Sequence, residues 1–234
     1  MGACRLSRAL KSRLGTTSWR CLTRRCFQII ELLGNFCFQI QVRYSYPLRI
    51  RCLGLPVFRF EPEKALEAIL YVASKAQTDK YATLKILYLA DKLHLERYGR
   101  FISGDYYHAL RHGSTPMHSY DMIEYAAHAK NQCVIEGVRE ALLVGTKAHR
   151  HALTPRREPD LDVFSESDIE CLNEVISRIE NISPLRKWMA LRADAHDAAW
   201  HKTRKENKNG HIDVERIAEQ FGNSNELIDY LRQA

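Results

Sequence analysis

The sequence lacks the features of a membrane protein and of the common enzyme classes. The longest apolar runs are short, such as 86–90 and 141–144, and fall far below the roughly 20 residues needed to span a bilayer. No GxSxG, Walker or Rossmann glycine pattern occurs. The seven cysteines form no CxxC pair, and their odd number argues against a secreted disulfide framework. These absences predict a cytoplasmic protein with reduced thiols.

Acidic residues are almost absent from the first 55 residues, where ten Lys or Arg accompany a single acid, Glu31. Residues 56–234 contain 25 basic and 27 acidic side chains. The net charge of +7 therefore comes from the N-terminal segment. The near-neutral remainder disfavours nucleic acid as a partner.

Residues 1–55 are interpreted as a basic, Cys- and Arg-rich extension, non-native or disordered, that precedes the folded domain at 56–234. The composition changes abruptly near Leu55, and no Met lies between Met1 and Met117. These two observations favour a mis-set translation start, with Val57 as an alternative start. A targeting presequence or a nucleic-acid-binding arm is the other interpretation, since both are rich in Arg and poor in acid.

We expect N-terminal sequencing of the protein isolated from its native cells to begin at or near Val57. An N-terminus at Met1 would contradict this expectation and revive the interpretation as a presequence or basic arm.

Apolar periodicity in residues 56–234 predicts a mostly helical α+β fold, a single compact domain of about six helices with a small antiparallel sheet. Pro62 suits the first turn of a helix, Gly99 suits a helix stop, and Ser165 and Asp168 form a capping-box-like arrangement at the start of another helix. Two short antiparallel strands are predicted around Gly145. Helices are predicted in EKALEAILYVASKA, YATLKILYLADKLHLERYG, Tyr120 to Lys130, SESDIECLNEVISRI, DAHDAAWHKTRKE, VERIAEQF and NELIDYLRQ.

The stretch GRFISGDYYHALRHGSTP, residues 99–116, crowds glycines, tyrosines and histidines directly behind the second predicted helix. Its alternation predicts an extended arm with a tight turn at Gly104 and Asp105. Tyr106 and Tyr107 then point to opposite faces, so that one ring packs on the core and the other anchors an interface. The alternative, that both rings only pack against the helix pair, stays open.

A metal-dependent hydrolase is a second hypothesis, because four potential ligands lie close in sequence: His94, Asp105, His108 and His112. His108 and His112 would share a helical face, but the flanking glycines favour a strand or turn. The run HDAAWH departs from the HExxH zinc motif, since Trp200 stands where the second His is required. We therefore predict no catalytic residues, no metal and no cofactor.

The run LKILYLADKLHLERYGRFISGDYYHALRHG resembles the SocA-like Panacea domain of bacterial and phage antitoxins. Its most similar parts are KILYLAD, RYGR, ISGD followed by Tyr107, and the AL and HG pairs of residues 109–113. FEPEKALEAILYVA, FSESDIECLNEVI and HDAAW also fit, so the resemblance covers about residues 58–234. Where the family typically has a Gly-Pro-x-Pro turn, this chain has GSTP, with Ser114 in place of the first proline.

The resemblance implies a toxin-neutralising protein and not an enzyme, with a co-encoded protein toxin as partner. An adaptor that delivers the toxin to a cellular protease, a DNA-binding autoregulator and a homodimer stay open as alternatives. The predicted partner-binding residues are Tyr106, Tyr107, His108, Arg111 and His112. Asp91, Arg97, Gly99, Gly104 and Asp105 are expected to shape this surface. The positions identified as signature or structural, called the signature residues below, are Lys85, Tyr88, Asp91, Arg97, Gly99, Gly104, Asp105, Gly113, Pro116, His196 and Trp200.

Overall fold

The structure is a computed structural model that describes residues 58–128, 136–145, 151–180 and 182–233. The predictions for residues 1–55, and for the end of the third helix at Lys130, lie outside the described residues. None of the helices in the described ranges is long and apolar enough to cross a membrane.

Nine helices and five short strands occupy the described part of the chain. The helices are α1 (Pro62–Ala76), α2 (Lys80–Tyr98), α3 (Met117–His128), α4 (Val138–Ala141), α5 (Glu166–Glu180), α6 (Pro184–Ala195), α7 (Ala198–Glu206), α8 (Val214–Ala218) and α9 (Ser224–Gln233). The strands are β1 (Tyr107–Leu110), β2 (Gly113–Pro116), β3 (Leu142–Val144), β4 (Leu153–Pro155) and β5 (His211–Ile212). The predicted mostly helical α+β fold is confirmed.

The long helix α2 is the centre of the fold, and its ends carry the expected stop and start signals. The Asp79 side chain accepts the N–H of Ala82 at 2.8 Å and caps the N-terminus. Gly99 ends the helix with a left-handed backbone (φ +70°), and its N–H donates to the Leu95 carbonyl. Tyr98, the last residue of the helix, is 43% exposed.

Helices α1, α2 and α5 pack against one another and share a hydrophobic core. Helix α1 begins at Pro62 as predicted, and the apolar side chains from Ala65 to Ala73 are buried. Helix α5 begins with the predicted capping box. The Ser165 N–H donates to Asp168 at 2.9 Å, and the Asp168 N–H donates to the Ser165 hydroxyl at 3.3 Å.

Two predictions in the C-terminal half need correction. The helix predicted in DAHDAAWHKTRKE is interrupted at His196 and Asp197, and α6 precedes the break without having been predicted. Asp197 has extended backbone (φ −73°, ψ −178°), and its side chain accepts the Trp200 N–H at 3.0 Å, so it caps a new helix. The charged residues of α6 obscure its apolar periodicity, and packing against α2 and β2 stabilises it instead.

The arm after α2 forms a β-hairpin. Strand β1 pairs antiparallel with β2 on one side, from Tyr107 opposite Pro116 to Leu110 opposite Gly113, and with β5 on the other. The sequence had suggested that GSTP is a turn, but it forms strand β2. The hairpin loop consists of residues 111–112. The two strands predicted around Gly145 are confirmed as the antiparallel pair β3 and β4.

Gly104 lies where the chain turns from α2 toward β1, and this position excludes a side chain. Its φ is +69°, and an added Cβ would lie 2.2 Å from the Arg59 carbonyl oxygen. Gly137 has a similar backbone (φ +83°), but no atom of the described residues lies within 4 Å of its added Cβ.

Gly104→Ala is therefore expected to destabilise the protein much more than Gly137→Ala. The left-handed backbone costs about 1–2 kcal/mol in either variant, and the clash adds about 1–3 kcal/mol at Gly104 alone. Urea unfolding of both variants measures the difference. Equal losses of stability would mean that the close approach to Arg59 does not constrain this turn.

Candidate functional site

A buried carboxylate at Asp91 ties the loop after α2 to the hairpin. One oxygen accepts the Ile102 N–H at 2.6 Å, and the other accepts the hydroxyl of Tyr107. Burial raises the pKa of Asp91 to about 7, against the opposing effect of these two hydrogen bonds. Burial and the charge of Asp91 in turn raise the pKa of Tyr107 far above its usual range. Helix α2, the loop and β1 are therefore fixed to one another at this point.

Asp105 is a second buried carboxylate at the other end of the same loop. It accepts the N–H groups of Tyr106, His118 and Ser119 at 2.8–2.9 Å, and the Ser119 hydroxyl at 2.8 Å. Burial raises the pKa of Asp105, while the bonds from Ser119 and His118 oppose the rise. The sequence predicted bonds to nearby backbone; it did not predict that Asp105 caps helix α3 across the hairpin.

Lys85 of α2 binds strand β2 and holds the two elements together. Its ammonium group donates to the carbonyls of Gly113 and Ser114, at 3.1 and 2.6 Å, and to the Thr115 hydroxyl at 2.8 Å. Burial lowers the pKa of Lys85 to about 7, whereas three acceptors match the three N–H groups of the charged form. The side chain has no remaining N–H with which to bind a ligand.

Asp197 and Trp200 attach helix α7 to α2 and to strand β1. Asp197 accepts the Tyr88 hydroxyl at 2.6 Å and pairs with Lys92 at 2.7 Å. The Trp200 indole N–H donates to the Leu110 carbonyl at 2.8 Å, and its ring stacks on His196 at 4.1 Å. The HDAAW run, which fitted the family pattern, thus anchors the hairpin from behind.

The signature residue Arg97 and the pair His94 and Asp168 join α2 to α5. Arg97 reaches Glu174 at 2.7 Å on the surface. Asp168 is buried and contacts Lys64 at 2.7 Å, Arg100 at 3.0 Å and His94 at 3.1 Å. Burial alone would raise its pKa, but the hydrogen bonds from His94, Lys64 and Ser165 hold it well below the usual range. The sequence identified Asp168 only as a helix cap.

The four potential metal ligands do not come together. His94 lies with Asp168, Asp105 caps α3, His108 lies opposite His211, and His112 lies beside Tyr81. Within the described ranges, no group of three or more His, Cys, Asp or Glu is placed to hold a metal ion. The only cysteine in those ranges, Cys171, is buried, which raises the pKa of its thiol to about 11.

Tyr106 and Tyr107 point to opposite sides of β1, as predicted, and only one of them is on the surface. Tyr107 is fully buried, with its ring 5.1 Å from Tyr88 and 5.2 Å from Phe101. Its burial favours the core-packing alternative for this residue. Tyr106 is 36% exposed.

Tyr106 belongs to a small aromatic cluster beside β1, which we call the β1 face: Tyr106, His108, His118 and His211. The Tyr106 ring lies 4.7 Å from His118 and 5.5 Å from His108, and His108 lies 5.9 Å from His211. His118 and His211 were not predicted, because they come from α3 and β5 and share no sequence pattern with β1.

The remaining predicted partner residues, Arg111 and His112, are exposed in the hairpin loop. The Tyr81 hydroxyl donates to the His112 carbonyl at 3.0 Å and fixes the loop to the start of α2. The five predicted residues therefore fall into three places: the β1 face, the hairpin loop and, for Tyr107, the core.

The register of the hairpin explains why either a serine or a proline fits at position 114. Ala109 uses its N–H to bind the Gly210 carbonyl of the β5 side, so the pair with Ser114 is not hydrogen-bonded in the ladder. A residue without an N–H is therefore tolerated at 114, and serine restores a donor that β1 does not need. The Ser114 hydroxyl is buried with no partner among the described residues.

Gly113 and Pro116 bound this strand. Gly113 has φ +103°, and an added Cβ would lie 2.9 Å from the Ala195 carbonyl oxygen at the end of α6. Pro116 is the last residue of β2, opposite Tyr107, and is buried.

The fold defines a mostly helical α+β domain in which buried polar groups hold a hairpin and leave its loop and one face exposed. A model of the family described as "Antitoxin SocA-like, Panacea domain" matches residues 84–201, just over half of the chain. The chain belongs to this family, which confirms the resemblance seen in the sequence. The comparison with curated proteins gave no match, and neither did the comparison with solved structures.

The raised pKa of Asp91 predicts a pH-dependent stability. Since the pKa is about 7 in the folded protein and near 4 in the unfolded chain, the folded state holds an extra proton between these values. The stability from this group is present at low pH and is lost as the pH rises through about 7. Asp91→Asn removes this titration and can still accept the Ile102 N–H.

We therefore expect wild type to lose on the order of 2 kcal/mol relative to Asp91→Asn between about pH 5 and about pH 8. Urea unfolding of both proteins at each pH provides the measurement. Other titrating groups are common to the two proteins and cancel in the difference, so parallel pH profiles would contradict the prediction.

Proposed function

We propose that this protein is an antitoxin that neutralises a co-encoded protein toxin by direct binding through its β1 face. Membership of an antitoxin family gives the general role. The observation that carries the proposal further is the exposure of Tyr106, which directly precedes β1 and whose chain neighbours Asp105 and Tyr107 are buried and hydrogen-bonded inside the fold. Binding by the β1 face requires no catalytic group.

The β1 face has the chemistry of a protein-binding surface. Tyrosine offers a large, rigid contact area with a polar end, and aromatic residues are enriched at the centre of interfaces. The surrounding histidines add donors and acceptors without a fixed charge. Burial lowers the pKa of His211, the charge of Asp213 opposes this effect, and His108 lowers the pKa further.

The buried polar residues Asp91, Asp105 and Lys85, which we call the buried frame, hold this surface in place before a partner binds. Asp105 fixes the backbone of Tyr106, and Asp91 fixes the adjacent Tyr107. A surface that is ordered before binding loses less conformational entropy when a partner arrives. Tyr107 thus supports binding as a positioning residue, without itself contacting the toxin.

We expect the double variant Tyr106→Ala/His108→Ala to lose neutralisation. The protein encoded by the adjacent gene is expressed with each antitoxin variant, and cell growth and the affinity of the purified pair are measured. Truncation of an interface anchor costs about 2 kcal/mol, which lowers affinity by roughly 30-fold. Tyr230→Ala, which removes an exposed tyrosine of α9, is the control and should neutralise as wild type does.

Circular dichroism and urea unfolding establish that the double variant remains folded. Immunoblotting of the toxin separates two modes, because direct binding leaves the toxin level unchanged whereas delivery to a protease lowers it. An adjacent product that is harmless alone, or full neutralisation by the double variant, would refute the proposal.

A further inference from the structure

A second, partly exposed surface surrounds the hairpin loop. It combines the start of α2, the loop, α6 and the residue that follows α6. Its residues, which we call the cationic–aromatic surface, are Tyr81, Arg111, His112, Trp188, Arg192 and His196. Only Arg111 and His112 were identified from the sequence as partner-binding residues.

Direct contacts join most of these residues. The Tyr81 ring lies 5.7 Å from Trp188 and 6.2 Å from His112. The Arg192 guanidinium lies 5.1 Å from the centre of the Trp188 ring, where a cation is attracted by the ring face. Helix α6 therefore brings an aromatic ring and a cation to the side of the hairpin loop.

The surface carries positive charge that the described part of the protein does not neutralise. Arg111 and Arg192 form no ion pair with a carboxylate of the described residues. Six described arginines do form one, and five others do not, namely Arg59, Arg139, Arg156, Arg186 and Arg204. The carboxylates of Asp79 and Asp197 are already engaged, because Asp79 caps α2 and Asp197 binds Tyr88 and Lys92.

Burial and the positive charge of the arginines lower the pKa of the two neighbouring histidines. Burial lowers the pKa of His112, and the charges of Arg111 and Arg192 lower it further. Burial likewise lowers the pKa of His196, and Arg192 is the next cause. These shifts disfavour a positive charge on the two rings, so the fixed charge of this surface comes from the two arginines.

We propose that the cationic–aromatic surface binds an acidic segment of the protein partner, with carboxylates on Arg111 and Arg192 and an apolar side chain against Tyr81 and Trp188. Arginine binds carboxylates through paired, charge-assisted hydrogen bonds. This inference rests on the proposed function for the identity of the partner, the toxin, but not for the chemistry of the surface.

Charge distribution favours an acidic peptide over a nucleic acid. Residues 56–234 carry two more acidic than basic side chains, so they generate no extended positive field. Nucleic acids are held by a row of cations that follows the phosphate backbone. Two exposed guanidinium groups beside aromatic rings match a short segment of mixed acidic and apolar residues better.

The test uses the full chain and a fluorescein-labelled decapeptide of alternating glutamate and leucine, with binding followed by fluorescence anisotropy. We expect Arg111→Ala/Arg192→Ala to weaken binding about tenfold or more, because the charge-assisted hydrogen bonds from both guanidinium groups to carboxylates are lost. The control, Arg139→Ala/Arg156→Ala, removes the same charge from two other exposed arginines and should bind as wild type does. The same peptide with glutamine for glutamate should bind about tenfold more weakly.

Three results would overturn the inference: equal binding of the glutamate and glutamine peptides, unchanged binding by Arg111→Ala/Arg192→Ala, or tighter binding of a single-stranded oligonucleotide. Co-expression separates the two proposals. If Arg111→Ala/Arg192→Ala keeps full toxin affinity while Tyr106→Ala/His108→Ala loses it, the proposed function stands and this inference fails. If the adjacent product is harmless but the peptide discriminates as expected, the proposed function fails and the acidic-segment site stands.

Discussion

The buried carboxylate of Asp91 is the constraint on which the hairpin depends. A carboxylate without water is costly unless donors surround it, and here the Ile102 N–H and the Tyr107 hydroxyl supply them. Because one donor lies in the loop and the other on β1, the carboxylate is satisfied only when both segments reach their native positions. These two bonds fix the conformation of the loop between α2 and β1.

This constraint determines which side chains reach the surface. With Tyr107 drawn inward, the alternation of a strand sends Tyr106 and His108 outward. Asp105 caps the N-terminus of α3, which follows the hairpin. Lys85 of α2 binds strand β2. The exposed residues of the hairpin are consequences of three buried polar groups, each of which finds its partners in a different segment.

The sequence predicted those parts of the fold that local chemistry determines. Pro62, Gly99 and the Ser165–Asp168 box mark helix ends because their bonds lie within a few residues. It did not predict α6, whose charges hide its apolar face, or the break at Asp197. That aspartate caps α7 through the nearby Trp200 N–H, but its other oxygen is held by Tyr88 and Lys92, about a hundred positions away. For the same reason the exposed sites were only partly predicted: Arg111 was identified, but Arg192 approaches the hairpin loop only through tertiary packing.

The separation of buried frame and exposed surface has a consequence for partner choice. Asp91, Asp105 and Lys85 are buried and bond to groups inside the fold, whereas Tyr106 and Arg111 are exposed. Substitutions at exposed positions usually change stability by less than about 0.5 kcal/mol, so the surface can vary while the frame persists. Ser114 is a buried position that also tolerates different residues, because strand β1 requires no N–H from it. A domain built this way can keep one hairpin and present different side chains to different partners.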